Sequence, residues 1–203
     1  MSAGTGKFHR RIAALTVLAC VVVAAAVVAS VVAPAATAMS CPPPPKTVYP
    51  FLPWGDGNGY VLATGGTFEA GQPSWTLQGG AKIVSGNEPF YADSITDKQS
   101  LYLPAGSSAI SPCTTAPNIV AYVRFFVKNS GVSGGQLKVE VLVNGVTYQA
   151  GTIKASAWWP TAKLQAAAPT TYGPTPYQVR LTPIGTGSAF TVDDVYLDPL
   201  KSQ

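Results

Sequence analysis

Beyond residue 50 the sequence predicts an all-β domain of antiparallel strands, a sandwich or a barrel. Three observations carry this reading. Apolar residues recur every second position rather than at helical spacing. An Asn144-Gly145 pair stands between two alternating runs, the strongest short hairpin signal because a type I′ turn needs positive φ twice. Gly and Pro clusters separate the short runs, and no window carries a sustained helical stripe; the alanine-rich stretch 162–168 is too short and ends at Pro169.

Taken in order, the early candidate strands are 60–63, 67–69, 74–77, 81–84 and 100–103. The run 119–128 reads as one strand, with Ile119, Ala121, Val123, Phe125 and Val127 on one face and Tyr122, Arg124, Phe126 and Lys128 on the other. In 136–143, Leu137, Val139, Val141 and Val143 alternate with Gln136, Lys138, Glu140 and Leu142, and 146–149 completes the hairpin. Residues 177–181 and 190–197 add two more strands. About 150 residues make one domain, long enough to bury a real core.

The N-terminus reads differently. Lys7, His9, Arg10 and Arg11 precede an uncharged apolar run over 12–32, Pro34 breaks it, and Ala36-Thr37-Ala38 fits a small-residue cleavage pattern. This is the layout of a secretory signal peptide, assigned here to residues 1–38. The run of 21 residues is also long enough to span a bilayer, so a retained N-terminal anchor is the alternative, and the only membrane contact expected. Cys20 lies inside the run with more apolar residues after it, which argues against lipid attachment. Residues 39–50, with four consecutive prolines at 42–45, form a semi-rigid lead, and 51–203 is the domain. The chain is therefore expected to be secreted or otherwise extracytoplasmic.

Removing the signal changes the charge argument. The whole chain has 13 basic and 9 acidic residues; Lys7, Arg10 and Arg11 leave with the signal, so the remainder is 10 minus 9, or +1. The basic pI therefore gives no support for nucleic-acid binding. His9 is the single histidine and leaves too, which rules out Ser-His-Asp and Cys-His catalysis in the mature chain. The carboxylates Asp56, Glu88, Asp93 and Asp97 lie in loop-like sequence without a recognisable acid/base context. Gly55, Gly57 and Gly59 precede no helix, so no phosphate-binding loop is present. No catalytic residue is assigned, and the protein is not expected to be an enzyme.

Two cysteines remain, Cys41 and Cys113. In an oxidising compartment they most simply form one bridge, closing a span of 72 positions (113 minus 41). The chain-entropy model gives such a loop roughly 4 kcal/mol as an upper figure. The alternative is two unpaired thiols.

Gly65-Gly66-Thr67-Phe68-Glu69 followed by Trp75 opens the domain, and Val192-Asp193-Asp194-Val195-Tyr196-Leu197 closes it. This arrangement resembles the jelly-roll β-sandwiches of carbohydrate-binding modules and galactose-binding-like domains, across most of 58–199. The resemblance implies a single antiparallel jelly roll with Trp75 in its core. It also implies a structural calcium shared by the opening Glu and a closing Asp, hence Glu69 with Asp193 or Asp194. Strand parity leaves the aspartate open: with Phe190 and Val192 inward, Asp194 is inward too unless a bulge intervenes.

Sugar-binding modules present aromatic faces to the pyranose C–H face. Trp54, Tyr60, Tyr91, Tyr122, Trp158, Trp159, Tyr172 and Tyr177 are the candidates. The Trp158-Trp159 pair stands out, because an extended chain sends adjacent rings to opposite faces. Tyr122 and Arg124 share a strand face that suits a neutral or acidic glycan. The ligand-binding residues expected are Trp158, Trp159, Tyr122 and Arg124. The function expected is a noncatalytic module binding carbohydrate or a cell-envelope glycan. The alternative is a structural or protein-interaction sandwich with no sugar site.

Overall fold

The computed structural model describes residues 41–43, 45–119, 122–169 and 171–198. The signal and anchor readings, Tyr172's side chain and residues 199–203 fall outside them. No helix among the described residues is long and apolar enough to cross a membrane.

The fold is an antiparallel jelly-roll β-sandwich. The first sheet runs β10 (Trp159–Pro160), β7 (Tyr122–Asn129), β13 (Phe190–Asp198), β4 (Gln99–Leu103), β3 (Lys82–Ser85). In the same sheet β1 (Val61–Leu62) pairs with β13, and β11 (Leu164–Gln165) with β7. The second sheet runs β2 (Thr76–Gln78), β5 (Ser108–Ile110), β12 (Thr171–Ile184), β8 (Gln136–Val143), β9 (Val146–Ile153), with β6 (Thr114–Ile119) also on β12. Period-2 alternation places Val123, Phe125 and Val127 of β7 against Leu137, Val139 and Val141 of β8 and Val179 and Leu181 of β12 in one core between the sheets. Trp75 lies in that core, against Phe68. Asn144 (φ 50°) and Gly145 (φ 80°) make the expected positive-φ turn between β8 and β9.

Two expectations need correction, and one point left open by strand parity is decided. The run 119–128 is not one strand: β6 pairs with β12 and β7 with β13, so the chain changes sheets between Ile119 and Tyr122. Alternation alone cannot show such a switch, because apolar residues recur at every second position of the sequence straight across it. The run 67–69 is not a strand. Phe68 has φ 59°, and this turn docks on β13, where Val195 N–H donates to Gly66 O at 3.1 Å. A Cβ on Gly66 would stand 2.7 Å from Val195 O, so glycine permits the close approach. The opening and closing motifs thus touch. Finally, β13 is bulged: its register shifts between Asp193 and Tyr196, and Asp194 has φ 46°. Phe190 and Val192 point into the core before the bulge, Val195 and Leu197 after it. Strands β5, β6, β10 and β11 were not legible as strands.

Cys41 and Cys113 form the disulfide, with Cα atoms 5.3 Å apart. It fastens the start of the described chain to the segment entering β6.

Candidate functional site

Outside the core, the first sheet carries a second apolar layer. Arg124, Phe126 and Lys128 of β7 alternate with the core residues. The segment leading into β1 folds over this face: Val48 bridges to Tyr60, and Leu52–Trp54 form a 3-10 turn. Phe51, Tyr60, Phe126 and Tyr196 pack as a fully buried cluster, with Phe51 stacked on Phe126 at 5.5 Å and edge-on to Tyr60 at 4.9 Å. Trp54, Trp158 and Ala92 flank it.

This cluster is the floor of an aromatic stack. Trp54 contacts Phe126 at 5.4 Å and Phe90 at 5.1 Å; Phe90 in turn contacts Trp159 at 5.9 Å. Trp159 is 60% exposed, at the sheet's edge on β10. It also lines a groove of about 550 Å³ with Val127, Ile153, Lys154 and Pro160. A second groove of about 540 Å³, lined by Asp56, Asn58, Arg124 and Lys163, adjoins the first, since Ala162 lines both.

The four residues expected to bind ligand occupy one neighbourhood, but in different states. Trp159 is exposed, whereas Trp158 is half-buried beneath the Lys128 ammonium, 5.0 Å from its ring centre. Tyr122 is half-buried, with the Lys163 ammonium 5.4 Å from its ring centre. Arg124 is buried and committed: Nη1 pairs with Asp56 at 2.5 Å, Nε donates to Thr161 O at 2.8 Å, and the guanidinium lies over the Phe51 ring at 4.0 Å. Burial by itself pushes the Asp56 carboxyl up, but hydrogen bonds from Tyr60 and Asn58 and the Arg124 charge hold it below its ordinary value. Arg124 therefore fastens the N-terminal segment to the sheet. Among the other aromatic candidates, Tyr60 and Tyr177 are buried and Tyr91 is exposed. Sequence reasoning missed Phe90. Its signal was an aromatic pair, Phe90-Tyr91, outside any alternating run.

A second region lies across β13. Glu69, Glu88, Asp93, Asp97, Asp193 and Asp194 are close enough to repel one another electrostatically, and none has an ion pair among the described residues. Backbone N–H groups support them instead. Asp193 accepts from Glu88 N and Asp194 N, Asp194 Oδ2 from Asp93 N, and Glu69 Oε1 from Lys98 N and Gln99 N. Fully buried Glu88 accepts from Phe90 N at 2.5 Å and Ala92 N at 2.6 Å. Burial, then neighbouring carboxylates, pushes Asp193 up to about 9 and Asp194 up to about 8. The same causes lift Asp97 to about 6.

The calcium reading named Glu69, Asp193 and Asp194. Both Asp193 oxygens accept backbone N–H groups, while Asp194 Oδ1 and Asp97 Oδ2 are buried without a partner. These oxygens suit a hard cation in charge and chemistry. No group of three such side chains among the described residues stands in an arrangement that could hold a metal ion.

With this geometry in view, known structures offer a comparison. The sandwich resembles carbohydrate-binding modules. One is TmCBM61 in complex with β-1,4-galactotriose: 16% identity, TM-score 0.46, covering 68% of this chain and 98% of that one. Another is the CBM22-1 xylan-binding domain of Paenibacillus barcinonensis Xyn10C: 19% identity, TM-score 0.40, covering 64% and 88%. A third is the module CBM36 in complex with calcium and xylotriose: 16% identity, TM-score 0.39, covering 62% and 94%. The likeness is one of fold. No protein-family model matches the sequence, and no curated protein matches it.

Proposed function

We propose that this chain is a noncatalytic, extracytoplasmic module that binds a glycan at the Trp159 edge. The observation that carries the reading is Trp159 itself, a large ring left 60% exposed beside an open groove and backed edge-on by Phe90 and Trp54. An indole held this way offers apolar area to a sugar ring at little entropic cost, because its neighbours already fix it. The noncatalytic reading rests on the carboxylates: Glu69, Glu88, Asp193 and Asp194 accept hydrogen bonds from backbone amides, and the one lining the grooves, Asp56, is paired with Arg124. The extracytoplasmic reading rests on the basic-apolar-small pattern of the N-terminus and on the disulfide. A cell-envelope glycan is one ligand source that fits this location.

The test is a glycan array probed with the full-length chain and its Trp159→Ala variant. The expected result is a set of glycans bound by the parent and lost, by about tenfold or more, in the variant. Silence across the array overturns the reading in favour of a structural or protein-interaction sandwich.

Calcium in the acidic region is part of the same proposal. Asp194, with its free buried oxygen, is the closing aspartate assigned to the ion, paired with the opening Glu69. Millimolar calcium is expected to raise the melting temperature by about 5 °C or more over the chelator-treated chain; coincident melts overturn the assignment.

A further inference from the structure

We infer that the glycan taken at the Trp159 edge is anionic, a polysaccharide bearing carboxylate, sulfate or phosphate groups. The inference rests on the glycan-binding reading and deepens it. Three lysines border the two adjoining grooves or the aromatic strand beneath them: Lys154 in the first groove, Lys163 in the second, and Lys128 on β7. None has an ion pair among the described residues, where the pairs formed are Arg124–Asp56, Lys138–Glu140 and Arg180–Glu140. Asp56 is the one carboxylate lining either groove, and Arg124 already neutralises it. Asp198, cross-strand from Tyr122, is buried, and Lys128, Lys154 and Lys163 keep their positive charge without a salt-bridged carboxylate in a chain whose charges beyond residue 38 nearly cancel.

Two of these lysines stand over aromatic rings, Lys128 over Trp158 and Lys163 over Tyr122. Each is thus held beside apolar surface, as a sugar acid requires, with a ring face for the C–H groups and an ammonium for the acid. Tyr122 and Lys128 lie six residues apart on β7, roughly 20 Å at strand spacing. That length spans several units of a polymer rather than one monosaccharide. Among the described residues none of the carboxylates on or beside β13 forms an ion pair with Lys128, Lys154 or Lys163.

Matched polymers test the inference: polygalacturonate against its fully methyl-esterified form, and dextran sulfate against dextran. Binding of the full-length chain is measured by affinity electrophoresis. At least one acid form is expected to bind about tenfold more tightly than its neutral partner, with the preference collapsing in about 1 M salt, where the screening length falls to about 3 Å. The triple variant Lys128→Gln, Lys154→Gln, Lys163→Gln removes the three ammonium charges while leaving Trp159 and its neighbours Phe90 and Trp54 in place, and is expected to lose about tenfold for the acid polymers and to leave neutral-polymer binding unchanged. Equal binding within both pairs overturns the anionic inference while leaving the glycan reading intact. No binding to any of the four, together with a silent glycan array, overturns both. The pattern across the two pairs separates carboxylate from sulfate recognition.

Discussion

The two regions on either side of β13 are built on opposite principles. The acidic region gathers six carboxylates without a side-chain cation and quiets them with backbone N–H groups and burial. The aromatic edge gathers Arg124, Lys128, Lys154 and Lys163 against one carboxylate and sets them beside rings. Beyond residue 38, where the charges nearly cancel, the chain has thus sorted much of its charge into two poles. Like charges repel, so sorting costs stability unless something else holds the fold. Here that is the core between the sheets and the buried ring cluster outside them. The acidic pole is inward and tight. The basic pole is outward and grooved.

The sharpest way to break the comparison is to remove what both regions share. Phe126→Ala takes out the ring under Trp54 and Phe90 and is expected to cost about 3–5 kcal/mol by urea denaturation. A loss under about 1 kcal/mol would mean that the outer cluster is not a core. Glu88→Ala comes next. It leaves the Phe90 and Ala92 amides without their acceptor, and an expected loss of about 2–3 kcal/mol marks that carboxylate as structural.

Protonation separates the poles more gently. Asp97, Asp194 and Asp193 have values raised to about 6, 8 and 9, so the folded chain keeps protons that the unfolded chain releases above about pH 4. The folded state binds more protons across that window, and stability of the chelator-treated chain therefore falls as pH climbs from about 5 to 8. Asp194→Asn is expected to flatten that slope; an unchanged slope in matched melts would place the repulsion elsewhere. The smallest effect on stability belongs to Trp159→Ala, within about 0.5 kcal/mol, because that ring is mostly in solvent. Its consequence is confined to ligand binding.

Much of the fold was legible because period-2 patterning and the Asn144-Gly145 turn are local signals. The sheet switch after Ile119 was not, since alternation says which way a residue faces but not which partner strand it meets. The bulge at Asp194 was foreseen only as a condition, since a one-residue shift in facing depends on the partner's register. Of the candidate site, Trp158, Trp159, Tyr122 and Arg124 were singled out by residue type, and the structure places them along β7 and its edge strand. Their distinct states were hidden, because Arg124's commitment to Asp56 spans 68 positions. The acidic region draws on three separated segments, and only its two ends carried a motif.

Glu88 has one further consequence. Its backbone N–H is held by Asp193 in the acidic region, and its carboxylate holds the N–H of Phe90, the ring that backs Trp159. One short loop therefore joins the two poles, and under the proposed function it is the path by which a cation and a polysaccharide would exchange free energy. Thermodynamic linkage makes that exchange symmetric: a cation that strengthens polysaccharide binding by some factor is itself bound more tightly, by the same factor, once the polysaccharide is in place.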